Sequence, residues 1–254
     1  MFSPSRFLTA QWRHLAILNY QIDPAVLSPR VPRGTELDLY DGKALVSLVG
    51  FLFCQTRVWG VPVPLHRNFE EVNLRFYVRR AAAEGWRRGV VFVKEYVPRR
   101  AVAWVARRLY GENYVAVPMR HEIELAADDP QARRSVCYQW FDGGENRLSL
   151  SADGPGALAP LGSEEEFVVE HYWGYCGHRD SQRPTVEYQV EHPRWNIWPA
   201  QAAEFVGNAQ HLYGPEFAAA LSMPPDSAFL ADGSAVTVYR GTPLAPAAPA
   251  LARP

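Results

Sequence analysis

Apolar and polar residues alternate along much of this chain, and the alternation predicts strands. The pattern is cleanest in residues 68–79, where every second position from Val72 to Val78 is apolar. Successive side chains of a strand point to opposite faces, so one face of this strand belongs to a core. The other face carries Glu71, Asn73 and Arg75.

Further segments predict strands and turns. Residues 90–97 are apolar on both faces, which is typical of a strand in the interior of a sheet. Two Asp-Gly pairs, at 41–42 and 232–233, have the composition of tight hairpin turns. They predict one hairpin from strands 36–40 and 43–53, and a second from strands 228–231 and 234–239.

Helical patterns interrupt these strands. They predict helices beginning at Pro98, over 167–172 after a capping box of Ser163 and Glu166, over 200–212, and over 215–221. Many strands and few helices favour an α+β, β-rich fold, with a curved antiparallel sheet closing into a cone or barrel and helices packed on it.

Composition limits the class of protein. The chain has 254 residues, of which 48% are hydrophobic, enough for one core domain, which we expect over residues 4–241. Residues 242–254 are rich in Ala and Pro and predict a disordered tail. The formal net charge of −1 argues against nucleic acid as a partner.

Apolar runs and cysteine spacing bear on localisation and oligomeric state. The longest mainly apolar run spans residues 44–54, too short for a membrane helix, so no membrane partner is expected. No secretory signal is visible, and the three cysteines lack a CxxC spacing. These features predict a reduced, cytoplasmic protein and leave the oligomeric state open.

The sequence motifs of several common enzyme classes are absent. The chain has no Gly-rich dinucleotide fingerprint, no P-loop, no G-x-S-x-G elbow, no H-E-x-x-H and no paired CxxC. We therefore expect no cofactor and no metal. A site assembled from distant residues is not excluded.

The polar face of strand 68–79 is the first candidate site. Glu71, Asn73 and Arg75 offer a carboxylate, an amide and a guanidinium fork, and the fork suits a carboxylate ligand. The alternative is an ordinary solvent-facing strand.

Lys94 and Glu95 are adjacent in strand 90–97 and point to opposite faces. Simple alternation puts Glu95 beside Val91 and Val93, where a carboxyl needs a partner or has a raised pKa. Such a group is a candidate acid or base, and the alternative is a buried ion pair with an arginine. Lys94 is either a desolvated amine able to form a Schiff base or a lysine whose ammonium reaches solvent.

Two aromatic-rich segments, 170–178 and 191–198, supply the other candidates. His171, Tyr172 and His192 are interpreted as pocket residues, with His171 able to act as acid, base or ligand. Cys176 and His178 suggest a thiolate–imidazole pair, although their spacing does not establish one. Aromatic packing is the simpler alternative for both segments.

The chain also resembles a known family. The matching segments are NFEEVNLRFYV (68–78), VFVKEYVP (91–98), ARRLYGENY (106–114), EHYWGY (170–175) and VEHPRW (190–195). They resemble the YqjF-like family of uncharacterised bacterial proteins, domain of unknown function 2071, over about residues 8–240. This family is grouped with acetoacetate decarboxylase-like proteins, so the resemblance implies that fold around a pocket.

The resemblance does not extend to the decarboxylase nucleophile. Decarboxylases of that group carry paired lysines in a segment following a helix, and the first lysine forms a Schiff base. The corresponding segment here, residues 111–115, contains no lysine and holds Tyr114 near the position of the nucleophile, so the resemblance implies that Tyr114 is a ligand-binding residue of the pocket. Glu71 is similar to a pocket glutamate of those enzymes.

Three functional hypotheses follow. The first is a central pocket that binds a small polar or carboxylate-bearing metabolite without Schiff-base chemistry, with Arg75 as anion anchor and Glu71 and Glu95 as acid, base or hydrogen-bond partners. The second is a non-enzymatic interaction module anchored by Trp195 and Trp198. A metal-dependent enzyme is the third hypothesis; its ligands would be drawn from His171, His192, Glu170 and Glu191.

Overall fold

A computed structural model describes residues 5–109, 112–125, 133–177 and 184–244 of the chain. It contains sixteen strands, five short helices and one 3-10 turn within those ranges. The strands are β1 (Arg6–Ile22), β2 (Glu36–Leu37), β3 (Ala44–Val58), β4 (Val61–Pro62), β5 (Phe69–Ala82), β6 (Gly85–Val97), β7 (Tyr114–Ala116), β8 (Met119–Leu125), β9 (Arg134–Phe141), β10 (Glu145–Ala152), β11 (Ala157–Leu158), β12 (Trp173–Cys176), β13 (Val186–Glu191), β14 (Asn196–Val206), β15 (Ser227–Tyr239) and β16 (Thr242–Pro243). The helices are α1 (Pro24–Leu27), α2 (Arg100–Leu109), α3 (Glu164–Val169), α4 (Ala209–Tyr213) and α5 (Pro215–Leu221), with the 3-10 turn at Ser28–Arg30.

One curved sheet includes all of these strands. Its main path runs β16-β13-β12-β6-β5-β3-β1-β15-β14-β10-β9-β8, and β13 also pairs with β15. The extra pairing closes seven strands, β1, β3, β5, β6, β12, β13 and β15, into a ring. Only the β6–β7 and β6–β12 pairs are parallel among the described strands. The expected β-rich fold with a curved sheet is confirmed.

Two hydrophobic clusters lie on opposite sides of the ring strands. The inner cluster includes Val49, Phe51 and Phe69, together with residues of α3. The outer cluster packs Leu74 and Phe76 of β5 against β9, β10, α4 and α5. The alternation predicted for β5 is therefore correct, since its apolar face is the outer core.

The first predicted hairpin is only partly correct. Tyr40 and Lys43 exchange backbone hydrogen bonds around a turn in which Asp41 and Gly42 both have positive φ. Residues 36–37, however, pair with β5 rather than with β3. The turn forms as its residues dictate, but the chain before it crosses to another strand.

The second predicted hairpin is wrong. β15 continues through residues 232–233 and pairs with β1 along nearly its whole length. Gly233 has a φ of 74°, and a Cβ there would lie 2.1 Å from the carbonyl oxygen of Trp12. The glycine therefore accommodates a bend and a close backbone approach inside a long strand.

The predicted helix over 200–212 is also wrong for most of its length. Residues 200–206 belong to β14, which pairs with β10 and β15, and only α4 is helical. Residues 200–206 pair with β10, and residues 197–199 pair with β15, and this pairing overrides the helical propensity of the Ala and Gln residues. α5 is confirmed at its predicted bounds. α3 begins and ends earlier than predicted, after a cap in which Ser163 accepts from the Glu166 backbone N–H.

Three further points concern the chain as a whole. No helix in the described ranges is long and apolar enough to cross a membrane. The three cysteines are free. Residues 242–243 of the predicted tail form β16 against β13, and residues 245–254 lie outside the described part of the chain.

Candidate functional site

The ring of strands encloses a cavity of about 220 Å³, to which every one of its seven strands contributes at least one side chain. Most of the wall is aliphatic or aromatic. Glu71, Asn73 and Arg75 of β5 project into it, as the alternation of that strand predicts. The alternative of a solvent-facing strand is wrong, because Glu71 and Asn73 are both 2% exposed.

Glu95 also lines this cavity, but not through the simple alternation expected for its strand. The β5–β6 register pairs Leu74 with Lys94 and Arg75 with Phe92, so Val93 is an extra residue in β6. This bulge reverses the alternation beyond it. Glu95 consequently shares the cavity side with Phe92 instead of with Val91 and Val93.

The segment after α2 contributes two more polar side chains. β7 runs parallel to the end of β6, which places Tyr114 beside Glu95. The Asn113 side-chain amide donates to the Val93 carbonyl at 3.0 Å, so this segment also provides a hydrogen-bond partner for the backbone at the bulge. Tyr114, an expected site residue, donates its hydroxyl to Glu71 at 3.0 Å. Glu112 lines the same cavity and was missed, because it lies in a short segment without periodicity.

Three buried carboxyl groups therefore meet at one end of the cavity. Burial raises the pKa of Glu71 to about 7, although hydrogen bonds from Asn73 and Tyr114 act in the opposite direction. Glu95 has a pKa well above its usual range because of burial and then its two neighbouring carboxyls. Burial likewise raises the pKa of Glu112 to about 7. Near neutral pH this end of the cavity can gain or lose a proton at little cost.

Arg75 lies farther along the same strand. Its Nη2 donates to the Val168 carbonyl at 3.2 Å, at the end of α3. Its Nε is buried and has no hydrogen-bond partner. Arg75 is the only arginine or lysine lining the cavity among the described residues. Among the described residues Glu95 forms no ion pair with an arginine, so the alternative considered for it is not found.

His171 lines the cavity and is held by polar and aromatic neighbours. Its Nε2 lies 3.5 Å from Asp38, whose carboxylate accepts from Arg88 at 2.6 Å. The ring packs against Tyr77 with 4.7 Å between centroids. Burial lowers the pKa of His171 to about 4, so the imidazole is neutral at physiological pH.

His192 reaches the cavity through a stack of aromatic rings. It lies 4.3 Å from the Trp195 ring and 4.8 Å from that of Tyr172, between centroids. Tyr172 itself does not line the cavity and instead hydrogen-bonds Glu170, so it is not the pocket residue that the sequence suggested. Trp195 is 3% exposed and belongs to the cavity wall, which removes it as a surface anchor.

Unpartnered polar atoms concentrate in this cavity. Ten side chains in the described ranges have a buried N or O atom without a hydrogen-bond partner, and six of these side chains line the cavity. The six are Trp12, Thr56, Asn73, Arg75, Glu95 and His171. Buried polar groups are normally paired, so this concentration distinguishes the cavity from the rest of the described core.

Neither lysine of the chain belongs to the cavity lining. The Lys94 ammonium, on the opposite side of β6 from Glu95, donates to the Leu212 carbonyl at 2.8 Å and lies 3.5 Å from Asp142. Lys43 is exposed at the turn that follows Gly42. The expected opposition of Lys94 and Glu95 is correct.

The cysteine and metal hypotheses find no support. The Cys176 thiol donates to Glu112 at 2.7 Å, and burial, followed by the charge of Glu112, raises its pKa well above the usual value. His178 lies outside the described residues. Within the described ranges, no group of three His, Cys, Asp or Glu residues has a metal-binding arrangement.

Comparison with known proteins agrees with this fold. The family model DUF2071, described as an uncharacterized conserved protein, matches residues 9–235. The chain belongs to the DUF2071 family. A similar protein is the uncharacterized protein YqjF of Bacillus subtilis (strain 168), which is 24% identical over 209 residues, or 80% of each chain.

Solved structures extend the similarity to the fold alone. The enduracididine biosynthesis enzyme MppR, complexed with pyruvate, superposes with a TM-score of 0.65 at 14% identity, covering 96% of this chain and 92% of that one. An acetoacetate decarboxylase-like enzyme from Sphingomonas wittichii RW1 gives a TM-score of 0.62 at 15% identity, covering 94% of each chain. Acetoacetate decarboxylase from Legionella pneumophila gives 0.64 at 13% identity, covering 94% of this chain and 87% of that one. The DUF2071 chain thus has the acetoacetate decarboxylase-like fold.

Proposed function

We propose that the cavity binds a compact, carboxylate-bearing metabolite, with Arg75 as the anchor for the carboxylate. The observation that carries this proposal is the Arg75 guanidinium, whose Nε is buried and unpartnered and which is the only arginine or lysine side chain lining the cavity among the described residues. A carboxylate supplies both the charge and the acceptor atoms that such a group lacks. The volume of about 220 Å³ favours a small ligand, since sites for drug-sized molecules measure roughly 300–1,000 Å³.

Glu71 and Glu95 are the groups that exchange a proton with the bound molecule in this proposal. Their pKa values are raised by burial, that of Glu71 to about 7, so a carboxyl near neutral pH is available as donor or acceptor. A group titrating near the working pH is the efficient choice for general acid–base catalysis. The fold relative MppR, described as complexed with pyruvate, is an example of this fold with a small carboxylate bound.

Schiff-base decarboxylation is not part of the proposal. That chemistry needs a neutral amine against the substrate. Lys94 is paired with a carboxylate and a carbonyl on the far side of β6, and Lys43 is exposed.

The test is a thermal-shift screen of small organic acids against three proteins: wild type, Arg75→Lys and Arg79→Lys. Arg79 lies on the same strand, is 40% exposed and pairs with Glu36, so Arg79→Lys is the matched control. At least one acid is expected to raise the Tm of wild type and of the control. That shift should be lost or strongly reduced in Arg75→Lys, because an ammonium cannot reproduce the guanidinium fork. Equal shifts in all three proteins for every acid, or no shift with any acid, would contradict the proposal.

A further inference from the structure

The two ends of the cavity have opposite chemical character. Arg75 stands at one end, and four residues earlier on β5 is Glu71, at a Cα separation of about 13 Å for an extended strand. Glu95 and Glu112 join Glu71 at that second end. Three carboxyl groups therefore face the cavity against one guanidinium among the described residues.

The unpartnered polar atoms of the cavity differ between its two ends in the same way as the charged groups do. At the carboxyl end they are oxygens, Oδ1 of Asn73 and Oε2 of Glu95. At the other end the Nε of Arg75, a donor, is unpartnered, and so are both ring nitrogens of the nearby His171. Asn73 and Glu95 are 2% and 1% exposed, so both lie away from the protein surface. A ligand with acceptor oxygens at one end pairs with Arg75, and N–H donors at its other end pair with Asn73 and with Glu95 once that carboxyl is ionised.

We infer that the ligand is a zwitterion, an amine-bearing carboxylic acid whose carboxylate meets Arg75 and whose ammonium group lies among Glu71, Glu95 and Glu112. This inference rests on the proposed function and extends it by naming the second functional group. The separation of the two ends favours an amine remote from the carboxylate over an amine on the adjacent carbon.

The surroundings of the glutamates let them ionise when an ammonium arrives. Glu71 accepts from Asn73 at 3.0 Å and from Tyr114 at 3.0 Å, and these bonds remain when the carboxyl is charged. Glu112 accepts from two donors in the same way. Those donors are the Cys176 thiol at 2.7 Å and the Tyr188 hydroxyl at 3.1 Å.

Proton release follows from this arrangement. The groups that face Glu95 electrostatically are the two other glutamates, Tyr114, Cys176 and Tyr188, and none of them is a cation. Glu71 also faces Arg75, whose charge acts to lower its pKa, but burial still raises the pKa of Glu71 and of Glu112 to about 7. The cluster therefore holds protons that it can lose near pH 7. A bound ammonium favours the charged carboxylates. Its binding near pH 7 should therefore release protons to the solution.

The experiment compares matched ligands that differ only in the amine. Isothermal titration calorimetry is carried out with glycine, β-alanine, 4-aminobutyrate, 5-aminovalerate and 6-aminohexanoate, and with acetate, propionate, butyrate, valerate and hexanoate. At one length or more, the amino acid is expected to bind wild type at least tenfold more tightly than its matched acid. Titrations in phosphate and in Tris buffer at pH 7 should differ in heat by an amount that reports proton release.

Glu95→Gln and Glu70→Gln provide the variant and its control. The amide of Glu95→Gln keeps the shape of the neutral side chain but cannot ionise, so the tenfold preference for the amino acid over its matched acid should disappear. Glu70 is the neighbour of Glu71, pairs with His121 and does not line the cavity, so Glu70→Gln should retain the preference.

The possible outcomes separate this inference from the proposed function. Equal affinity for amino acid and acid at every length, or a preference that survives in Glu95→Gln, overturns the zwitterion and leaves carboxylate binding intact. Binding of an amine-bearing ligand without proton release also overturns it. Failure of both series to bind overturns the inference together with the proposed function.

Discussion

Lys94 and Glu95 are adjacent on β6 but differ in their partners. The Lys94 ammonium has a hydrogen-bond acceptor and a carboxylate beside it, whereas one carboxyl oxygen of Glu95 has no hydrogen-bond partner. The Lys94 ammonium has a carbonyl at 2.8 Å and the Asp142 carboxylate at 3.5 Å. Asp142 in turn accepts from Tyr96 at 2.9 Å and lies 3.3 Å from His211. Glu95, 1% exposed, retains an unpartnered oxygen beside two other carboxyls.

This difference separates polar groups that stabilise the fold from those that are available to a ligand. The unpartnered atoms in the outer cluster belong to neutral aromatic side chains, Tyr20, Trp140 and Tyr213. On the cavity side they include a carboxyl, an amide and a guanidinium. Leaving such groups unpaired is costly, so we interpret them as functional rather than structural.

The largest effect expected from the comparison is on the pH dependence of stability. Glu71 has a pKa of about 7 when folded and about 4.5 in the unfolded chain. Between these values the folded protein keeps a proton that the unfolded chain has released, so the free energy of unfolding falls as the pH rises. One such shift corresponds to a loss of about 3 kcal/mol, complete above pH 7. Urea unfolding from pH 4.5 to 8 should show this decline, and Glu71→Gln should reduce it, leaving the part that Glu95 and Glu112 contribute.

The contribution of Asp142, which lies beside Lys94, to the free energy of unfolding should depend on pH in the opposite way. Burial acts to raise the pKa of Asp142, but hydrogen bonds from Tyr96 and His211 and the Lys94 charge lower it below its usual value. Its contribution is therefore present above the unfolded pKa of 3.8 and is lost as the pH falls through the lower folded pKa. Asp142→Asn should reduce stability at pH 5 to 8 and leave the decline above pH 5 unchanged. A decline that both variants flatten equally would contradict the distinction between the two sides.

The next largest effect is expected from substituting Lys94 and Glu95 themselves. Lys94→Met removes a charged donor and leaves Asp142 without its ammonium, so it should destabilise by about 1.5–3 kcal/mol. Glu95→Gln should stabilise the protein at pH 8, because it removes a carboxyl that ionises at a cost. Denaturant unfolding at pH 8 measures both. Destabilisation by Glu95→Gln would mean that the fold depends on that carboxyl.

A smaller effect is expected from Tyr114→Phe. The Tyr114 hydroxyl lowers the pKa of Glu71 through its hydrogen bond, so its removal should move that pKa above about 7. The cost in stability should be about 1 kcal/mol. Carbon-13 NMR of the glutamate carboxyls against pH reports the shift. Tyr40→Phe, which removes a hydroxyl bonded to the Gly162 carbonyl outside the cavity, is the control and should leave the titration unchanged.

The last prediction is that Lys94 does not react as a Schiff-base nucleophile. Incubation with acetoacetate and borohydride should leave Lys94 unmodified, because its ammonium is paired outside the cavity. Mass spectrometry of the Lys94 peptide tests this, with Lys94→Arg as the control. An adduct on wild type that disappears in Lys94→Arg, together with carbon dioxide release, would restore decarboxylase chemistry.

Local pattern predicted one wall of the site and not the rest. Strict alternation in β5 was sufficient to place Glu71, Asn73 and Arg75 on one face. The position of Glu95 relative to its strand neighbours depends on the bulge at Val93, which pairing with β5 and capping by Asn113 create. No short-range pattern contains that information.

The other misses have similar physical causes. Glu112 reaches the cavity because β7 pairs with β6, a contact between distant parts of the chain. Residues 200–206 of β14 have a helical composition, but their pairing with β10 fixes them as extended. Asp232 and Gly233 have the residues of a hairpin turn, yet continuous pairing of β15 with β1 keeps the strand in one direction. Tertiary pairing decided each case.

The most direct test of the central claim is the small-molecule content of the purified protein. Wild type, Arg75→Gln and Lys94→Arg are purified side by side from one host, denatured, and their extracts compared by mass spectrometry. A cavity that binds through Arg75 predicts a compact carboxylic acid enriched in wild type and in Lys94→Arg, and lost from Arg75→Gln. The same small-molecule content in all three proteins, or an enriched molecule without a carboxylate, would contradict the account.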